Sequence, residues 1–310
     1  MRIIQPEAHI LPQNGDILQH VERCGRIAYK SENAITDTSY LNFISRILAS
    51  GHESVLEHGN YIFDLMDADH VELMDIYESV LFDFNVEKGQ AARMRFTVDS
   101  GRYLVSGNIR AWRDFIKALK KCRYAVPEWL NNAFCHNPAF ADLGLSKDYI
   151  FGTAISLNGA DLLPEEQEYH RTVTAHFICS RAISHELVRH RALSHTQESQ
   201  RYCNYSKDKF GGGVTFIEPL WAANDELQKR LWGNVMEMLE DSYLGFLGVG
   251  RQPQEAREVL PNSTKTELVV TGTVAEWKHF FDLRCADDAH PEMRRLAIPL
   301  KEEFKNAGLI

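Results

Sequence analysis

The chain has 310 residues, of which 44% are hydrophobic and 25% charged, proportions typical of a globular protein with a sizeable core. The net charge of −9 argues against a large nucleic-acid-binding surface. No apolar run is long enough to cross a bilayer, and the N-terminus lacks the apolar stretch of a signal peptide. The cysteines at positions 24, 122, 135, 179, 203 and 285 form no CxxC pair, so we expect reduced thiols in a cytoplasmic protein without a membrane partner.

The first half of the chain predicts helices followed by strands. Apolar residues recur at helical spacing over 16–50, and GHESVLEH at 51–58 predicts a loop that enters a short helical turn. Residues 60–65 predict a strand, and 95–106 alternate as a strand does. An amphipathic helix begins near Asn108, with apolar side chains on one face and arginine and lysine side chains off it.

The second half mixes helices and strands without βαβ regularity. Residues 122–165 show no clear period, and a helix is predicted from about Thr174 to Arg189. The glycines at 211–213 predict a flexible or tight loop. Further helices are predicted at about 224–247, at 276–283 and near the C-terminus, with a buried strand at 267–272. These elements predict an α+β fold.

The most informative segment is RHRALSHTQESQRY at 189–202, with three arginines, two histidines, two serines and a tyrosine in fourteen residues. Guanidinium groups bind phosphate and carboxylate through paired hydrogen bonds and stack on flat rings. The segment therefore predicts a site for a phosphorylated planar ligand, such as a nucleotide or a flavin. A solvated charged loop is the alternative.

Three other functions fit the sequence less well. HELVRH at 185–190 has one residue more than the zinc-protease pattern HExxH, so the two histidines lie about 140° apart on a regular helix and no metal site is expected. Arg201, Tyr202 and Tyr205 interleave as on a nucleic-acid surface, but nearby acidic residues and the net charge oppose a long phosphate track. No GxSxG elbow frames a serine, and no cysteine lies in a recognisable nucleophile motif.

The predicted 174–189 helix sets side-chain neighbours around the motif. Arg181, His185 and Arg189 are spaced i, i+4, i+8 and would share one face. Glu186 and His190 share another face, where they could pair.

The segment 189–202 resembles the signature of the flavin-dependent thymidylate synthases, in which Arg-His-Arg is followed by a spaced Ser and then Ser-x-Arg-Tyr. Segments at 51–58, 256–261, 280–284 and 290–294 (GHESVLEH, AREVLP, FFDLR and HPEMR) resemble further family segments in the same order. The resemblance covers about 1–65 and 172–305. It implies one domain over 1–310 with an insertion at about 66–172, built of mixed helices around an antiparallel sheet and assembled as a homotetramer.

The resemblance also implies roles for individual residues. The flavin adenine dinucleotide (FAD) contacts would be His52, Ser54, Arg189, His190, Arg191, Gln197, Thr273 and His279. The deoxyuridylate (dUMP) contacts would be Glu186, Arg189, Gln197, Glu198, Ser199, Gln200, Arg201, Arg257 and Arg284, with Arg257 and Arg284 supplied by a neighbouring subunit. Arg284 would be catalytic, because a guanidinium beside the pyrimidine favours an N3-ionised or enolate-like form.

The implied activity is reductive methylation of dUMP to dTMP, with 5,10-methylenetetrahydrofolate as carbon donor, reduced FAD as hydride source and NADPH as reductant. A hydroxymethyl-transferring enzyme acting on dUMP needs nearly the same residues. A non-catalytic nucleotide-binding protein is the further alternative.

One segment departs from the family pattern. Family members often carry Gly-Asn-x-Arg-x-Trp where this chain has GTVAEW at 272–277, while GNIRAW at 107–112 has the family form. We hypothesise that the insertion is a partial internal duplication in which Asn108 and Arg110 take over an anion or flavin contact. The alternative is that Arg110 lies on a solvated helix face.

Overall fold

The computed structural model describes residues 1–13, 15–84, 93–99, 102–147, 155–157, 161–207 and 210–310. The chain divides into two compact units. Unit 1 comprises Met1–Pro12, Arg23–Ala34 and Val173–Ile310, and unit 2 comprises Gln13–Glu22 and Ile35–Thr172. The single domain over 1–310 with an insertion at about 66–172 stays a prediction.

Helices and strands alternate irregularly along the chain, which makes the fold α+β as predicted. In chain order they are β1 (Arg2–Ile4), β2 (Glu7–Ile10), α1 (Ile17–Tyr29), α2 (Ser39–Ser50), β3 (Asn60–Leu65), α3 (Asp67–Phe84), β4 (Arg95–Asp99), β5 (Arg102–Asn108), α4 (Ile109–Lys121), α5 (Glu128–Phe134), β6 (Ile155–Leu157), α6 (Pro164–His170), β7 (Thr172–Ser180), α7 (Arg181–Leu187), β8 (Ser194–Gln197), β9 (Thr215–Ile217), α8 (Leu220–Ala223), α9 (Glu226–Gly248), α10 (Pro253–Ala256), β10 (Lys265–Thr273), α11 (Val274–Arg284) and α12 (Pro291–Asn306). Short 3₁₀ helices lie at Glu32–Ala34, Glu53–His58, Pro138–Leu143 and Arg257–Val259.

Unit 1 is built on a sheet of order β2-β7-β10-β8. Strand β2 pairs antiparallel with β7, and β8 pairs antiparallel with β10. Alternate residues of the central strands, such as Phe177 and Val270, join Trp277 and Phe281 of α11 and Leu300 of α12 in one buried core. Because a strand presents successive side chains to opposite faces, the other side chains of β7 and β10 lie on the opposite face of the sheet.

Unit 2 is built on a second sheet, of order β4-β5-β3-β6, in which all three neighbouring strand pairs are antiparallel. Aromatic side chains fill its core. Phe63 lies edge-on to Trp112 and Trp129 at ring-centroid distances of 5.5 and 5.8 Å, and Phe134 stacks on Phe140 at 4.0 Å. This core does not include any residue of the 189–202 motif, which lies in unit 1.

The two units repeat one topology. In unit 1 the chain runs β7, α7, β8, then β10 and α11, and β10 lies between β7 and β8 in the sheet. In unit 2 it runs β3, α3, β4, then β5 and α4, and β5 lies between β3 and β4. A fourth strand, β2 or β6, pairs antiparallel with the first strand of each set. This shared order supports the hypothesis of an internal duplication.

The strand–helix junctions of the two units match in detail. Asn108 caps α4 by accepting a hydrogen bond from the Ala111 backbone N–H at 2.8 Å, and Thr273 caps α11 by accepting from Glu276 N–H at 3.3 Å. Trp112 and Trp277 follow each cap by four residues and are fully buried. Both junctions therefore share two structural features, a side-chain N-cap and a tryptophan buried in the core.

The predicted bounds of two helices, at about 174–189 and at 16–50, are wrong. Residues 172–180 form strand β7, and only Arg181–Leu187 is helical, because Val173, Ala175, Phe177 and Cys179 alternate into the core and the backbone pairs in a sheet. The predicted 16–50 helix is two helices, α1 and α2, separated near Lys30, which has a positive φ of 51°.

The other predicted elements are confirmed. The turn at 51–58 is a 3₁₀ helix, 60–65 is β3, and the strand-like stretch at 95–106 becomes β4 and β5, with residues 100 and 101 outside the described residues. Helices α9, α11 and α12 and strand β10 lie where they are predicted. Helix α5 and the 3₁₀ helix Pro138–Leu143 lie in the stretch 122–165, where no period predicts them.

Arg113 of α4 is buried, although the sequence places it off the apolar face. Its guanidinium binds both carboxylate oxygens of Asp142 at 2.6 and 2.8 Å and approaches Glu53 at 3.4 Å. Its side chain is 0% exposed, whereas Lys117 on the same helix is 41% exposed. The two carboxylates permit this burial because a buried charge needs partners.

We predict that Arg113→Met lowers the free energy of unfolding by about 1–3 kcal/mol, because it removes the buried guanidinium that donates to Asp142 and to the Ala139 carbonyl oxygen. Lys117→Met, which removes an exposed partner of Glu53, should cost less than about 1 kcal/mol. Urea unfolding of the two variants measures the difference. Equal losses would contradict the buried pairing.

Candidate functional site

The arginine-rich motif begins in the turn between helix α7 and strand β8, continues through β8 and ends in the following turn; the first of these turns is called the arginine-rich turn. Ser180 caps α7, and the helix ends at Leu187, so Arg189 lies beyond it. The expectation that Arg181, His185 and Arg189 share one helix face is therefore wrong. The chain resumes as β8 at Ser194, after a turn in which Arg189 and Arg191 are exposed.

The turn is seated on the sheet by close packing. Buried Leu193 lies against Gly272 near the end of β10, and a Cβ at Gly272 would be 2.2 Å from Leu193 Cδ2. Only glycine leaves room for this contact. The motif and the α11 junction are therefore packed directly together within unit 1.

Arg284, at the end of α11, joins two residues of the motif region. Its Nε–H donates to His190 Nε2 at 2.8 Å, and its Nη1–H donates to Glu186 Oε2 at 2.9 Å. Its Nη2–H reaches the Glu186 carbonyl oxygen at 3.3 Å. Glu186 and His190, which the sequence predicts to pair directly, are thus bridged by Arg284.

His190 is a neutral acceptor in this arrangement. Its ring lies edge-on to Phe280 with centroids 5.0 Å apart. Burial and, after it, the positive charge of Arg284 together lower the pKa of His190 to about 4. Because Nε2 accepts from Arg284, the ring carries its proton on Nδ1 at neutral pH.

Strand β8 positions the next two predicted residues. Gln197 donates from Nε2 to Ser184 Oγ at 2.9 Å and to Thr266 Oγ1 at 3.1 Å. Glu198 is buried, where it accepts from Lys265 Nζ at 2.8 Å and from Tyr205 Oη at 3.2 Å. The Glu198 carboxylate is therefore engaged inside unit 1.

Glu198 belongs to an ionic cluster that the sequence does not predict. Lys265 also pairs with Glu267, which pairs in turn with Lys30 and with His176 Nε2 at 3.0 Å. Burial alone would raise the pKa of Glu267, but His176, Lys265 and Lys30 hold it well below its usual range. The only sequence signal was two charged residues, Lys265 and Glu267, at alternate positions of a buried strand.

A cavity of about 490 Å³ in unit 1 opens beside this cluster. Its lining includes Lys30, Glu198, Tyr205, Lys265 and Glu267. Burial and the neighbouring Glu198 raise the pKa of Tyr205 well above its usual value. The lysine and glutamate side chains in the wall form ion pairs with one another, so the cavity is polar but its charges are locally neutralised.

The phosphate-binding candidates lie outside the strands of unit 1, and Arg201 is exposed among them. Ser199 Oγ accepts from the backbone N–H of Arg201 at 3.3 Å, and the Arg201 guanidinium carbon is 5.5 Å from the Tyr202 ring centroid. Gln200 is half-buried between them. Arg257 lies in a 3₁₀ helix, with Nε 3.8 Å from Glu258.

The N-terminus of α11 is capped by side chains of its own first turn. Thr273 N–H donates to Glu276 Oε2 at 2.7 Å, in reciprocal capping with the Glu276 amide. Thr273 is buried, and His279 is exposed further along the helix. The helix start therefore presents few unpaired amides to a phosphate.

The remaining flavin candidates lie in unit 2. His52 precedes the 3₁₀ helix Glu53–His58, and both His52 and Ser54 are exposed. Arg110 Nη1 donates to Glu57 Oε1 at 2.7 Å, and its Nε lies 3.9 Å from Asp114. This pairing argues against the hypothesis that Arg110 takes over an anion contact.

The described residues include neither a metal-binding cluster nor a membrane-spanning helix. Among those residues, no group of three or more His, Cys, Asp and Glu side chains is placed to hold a metal ion. Within the same residues, no helix has both the length and the apolar character needed to cross a membrane.

Strands β7, β8 and β10 of the unit 1 sheet, the arginine-rich turn and the Arg284 contacts all lie in one matched segment. Residues 169–307 match the family model described as thymidylate synthase complementing protein. This match confirms the resemblance inferred from the motifs. The segment at 51–58 lies outside the matched residues.

Two similar proteins are named flavin-dependent thymidylate synthase. The one from Geobacter sulfurreducens is 37% identical over 129 residues, which is 42% of this chain and 54% of that protein. The one from Pyrococcus furiosus is 37% identical over 126 residues, which is 41% of this chain and 51% of that protein. The chain thus spans about half the length of these relatives.

A solved structure is similar over most of its length. It is described as the UMP/dUMP methylase PolB from Streptomyces cacaoi bound with 5-Br dUMP, and the alignment covers 99% of this chain and 92% of that one at 15% identity. The TM-score of this alignment is 0.41.

We predict that the His190 ring titrates with a pKa of about 4 and that Arg284→Met raises this pKa, because the substitution removes a neighbouring positive charge. The unfolded ring binds its proton near pH 6.5 and the native ring near pH 4, so lowering the pH between these values favours unfolding. NMR of the ring nitrogens measures the pKa. Arg294→Met is the control, and an unchanged pKa in Arg284→Met would contradict the contact.

Proposed function

We propose that the protein is a flavin-dependent thymidylate synthase that converts dUMP to dTMP with 5,10-methylenetetrahydrofolate as carbon donor. The observation that carries the proposal is the position of Arg284, whose guanidinium is held by Glu186 and His190 beside the arginine-rich turn. The family match over 169–307 and the names of the relatives support it.

The chemical requirement is to make C5 of the uracil ring nucleophilic. Burial raises the pKa of the Cys179 thiol to about 12, so this thiol is not poised to add to the ring. Arg284 beside the pyrimidine would instead stabilise negative charge on it. Glu186 and His190 engage three of the five guanidinium N–H groups, which fixes the orientation of Arg284 and leaves two donors for the nucleotide.

The flavin would be held mainly by the exposed turn. The guanidinium groups of Arg189 and Arg191 fit a diphosphate, whereas the closed cap at Thr273 fits one poorly. The further proposed contacts are His52, Ser54, His190, Gln197 and His279. When bound, reduced FAD supplies the hydride that completes the methyl group, and NADPH is the proposed reductant.

The nucleotide phosphate would lie at the Ser199–Arg201 turn. Ser199, Gln200 and Arg201 offer hydroxyl, amide and guanidinium donors there. Glu198 can contribute only its backbone, because Lys265 and Tyr205 engage its carboxylate. We propose a homotetramer in which Arg257 and Arg284 reach the nucleotide of a neighbouring chain.

We predict that the purified protein binds FAD non-covalently and, given NADPH and methylenetetrahydrofolate, releases tritium from dUMP labelled at C5. Chromatography of the product distinguishes dTMP from hydroxymethyl-dUMP. A protein that neither carries nor takes up flavin would exclude the proposed chemistry. Flavin binding without tritium release would favour a non-catalytic nucleotide-binding protein.

We predict that Arg284→Ala lowers kcat by about 30- to 1000-fold, which corresponds to about 2–4 kcal/mol of lost charge stabilisation in the transition state. Its flavin content, read from the absorption spectrum, should stay unchanged because Arg284 is assigned to the pyrimidine. Arg294→Ala on α12, which breaks an exposed pair with Asp287, is the matched control. A parallel loss of flavin and activity would reassign Arg284.

A further inference from the structure

The cavity of about 490 Å³ lies on the face of the unit 1 sheet opposite the Arg284 contacts. Glu267 of β10 lines the cavity, whereas the next residue, Leu268, belongs to the same buried core as Phe280 of α11. Because successive side chains of a strand point to opposite faces, the cavity and this core lie on different sides of the sheet. His190, which accepts from Arg284, packs against Phe280 on the core side. The cavity is therefore separate from the proposed catalytic residue.

The two buried carboxylates in the cavity wall already have a donor at each oxygen atom. Glu198 accepts from Tyr205 Oη at 3.2 Å and from Lys265 Nζ at 2.8 Å, through different oxygens. Glu267 accepts from Lys265 through Oε1 and from Lys30 through Oε2. Burial and, after it, Glu198 raise the pKa of Tyr205 well above its usual value, so the hydroxyl keeps the proton that it donates. Both carboxylates are thus satisfied within the wall.

The basic side chains in the wall keep unused donors. The Lys265 ammonium has three N–H groups, of which Glu198 and Glu267 engage two. Burial alone would lower the pKa of Lys265, but the two carboxylates raise it, so the ammonium is charged at neutral pH. Arg2 also lines the cavity and is exposed, and its guanidinium forms no ion pair with another residue of the described ranges. The complementary ligand therefore carries acceptors, and two cationic donors favour an anion.

Two aromatic rings form a corner of the same cavity. Tyr205 and Phe210 both line it, with ring centroids 5.5 Å apart and ring planes at 86° to each other. A flat ring in this corner can stack on one of them and meet the other edge to face, the two arrangements that aromatic pairs prefer. Ile4 and Ile178 add apolar surface to the lining. The lining therefore suits a ligand that combines an anionic group with a planar ring.

The charges of the wall limit the charge of that ligand. Among the described residues, three basic and three acidic side chains line the cavity: Arg2, Lys30, Lys265, Glu32, Glu198 and Glu267. A phosphate monoester, with a charge of about −1.5 to −2 at pH 7, would be repelled by the two buried carboxylates. A carboxylate carries a single negative charge, which the unpaired guanidinium of Arg2 offsets. The wall therefore favours a carboxylate over a phosphate.

We propose that this cavity is a further ligand site and that it binds a small aromatic monocarboxylate. The carboxylate accepts from Lys265 and from the exposed Arg2, and the ring lies against Tyr205 and Phe210. A volume of about 490 Å³ is within the range of small-molecule sites. The inference does not depend on the proposed activity, because none of these four residues is among the proposed flavin and nucleotide contacts.

The first test is the binding of benzoate, the simplest member of this class, measured by isothermal titration calorimetry. We expect a dissociation constant of about 1 mM or lower, and binding at least about tenfold weaker for benzamide, cyclohexanecarboxylate and phenyl phosphate. Benzamide lacks the negative charge, cyclohexanecarboxylate lacks the flat ring, and phenyl phosphate carries more charge. Benzoate that fails to bind, or that binds no more tightly than these three compounds, would overturn the proposal.

The second test locates the bound benzoate. Arg2→Met should raise the dissociation constant about tenfold, because it removes a charge-assisted contact, and Phe210→Leu should raise it about threefold, because it removes a ring. Arg230→Met on α9, at an exposed arginine that does not line the cavity, is the control and should leave the constant unchanged. Circular dichroism should match wild type for all three variants. Wild-type binding in Arg2→Met or in Phe210→Leu would place benzoate elsewhere and overturn the proposal.

Competition separates this cavity from the proposed active site. Benzoate should bind with the same dissociation constant when dUMP and methylenetetrahydrofolate are present at saturating concentrations. Displacement of benzoate by either compound would make the cavity part of the proposed active site and would overturn the further site. A protein that binds benzoate as expected but neither dUMP nor methylenetetrahydrofolate would contradict the proposed function alone.

Discussion

The buried ion pairs of Lys265 are the constraint on which the arrangement of unit 1 depends. Lys265 begins the central strand β10. It pairs with Glu267 and with Glu198, which follows directly after strand β8. The backbone N–H of Glu198 also donates to the Glu267 carbonyl oxygen at 2.8 Å. Losing one member would leave another charge buried without its partner, so the cluster fixes how β8 sits on β10. The turn that carries Arg189 and Arg191 is positioned as a result.

The sequence predicts much of unit 1, for physical reasons. The motif is a turn whose arginines are exposed, as phosphate-binding chemistry requires, and β10 and α11 lie where periodicity predicts them. Strand β7 is misread as helix because its apolar residues are frequent enough to fit either period. Only pairing with β2 and β10 decides between the two periods, and that pairing is not local in sequence.

The errors at single residues have a related cause. Glu198 is assigned to a ligand by its place in the motif, yet its carboxylate is bound by Lys265, which lies 67 positions away. Arg113 is assigned to a polar face, yet Asp142 binds it from a 3₁₀ helix that no period predicts. In both cases a partner distant in sequence decides whether a charge faces water or the interior.

The two units share one topology but differ in where their arginine residues lie. Both have a capped helix after the central strand and a buried tryptophan four residues on. In unit 2 the arginine at this junction is bound by Glu57, and in unit 1 the equivalent position is Ala275. The junction thus acts as a structural element in both units, and the exposed arginines lie on the neighbouring turn of unit 1 instead.

The contact between Leu193 and Gly272 couples the substitutions that are possible at these two positions, which are distant in sequence. A methyl group added at position 272 has no space while a leucine occupies position 193, so either position can change only if the other gives up volume. Random mutagenesis of this protein should therefore recover larger residues at 272 only together with smaller ones at 193. Homologous sequences should show the same exchange as covariation between the turn and the end of the central strand.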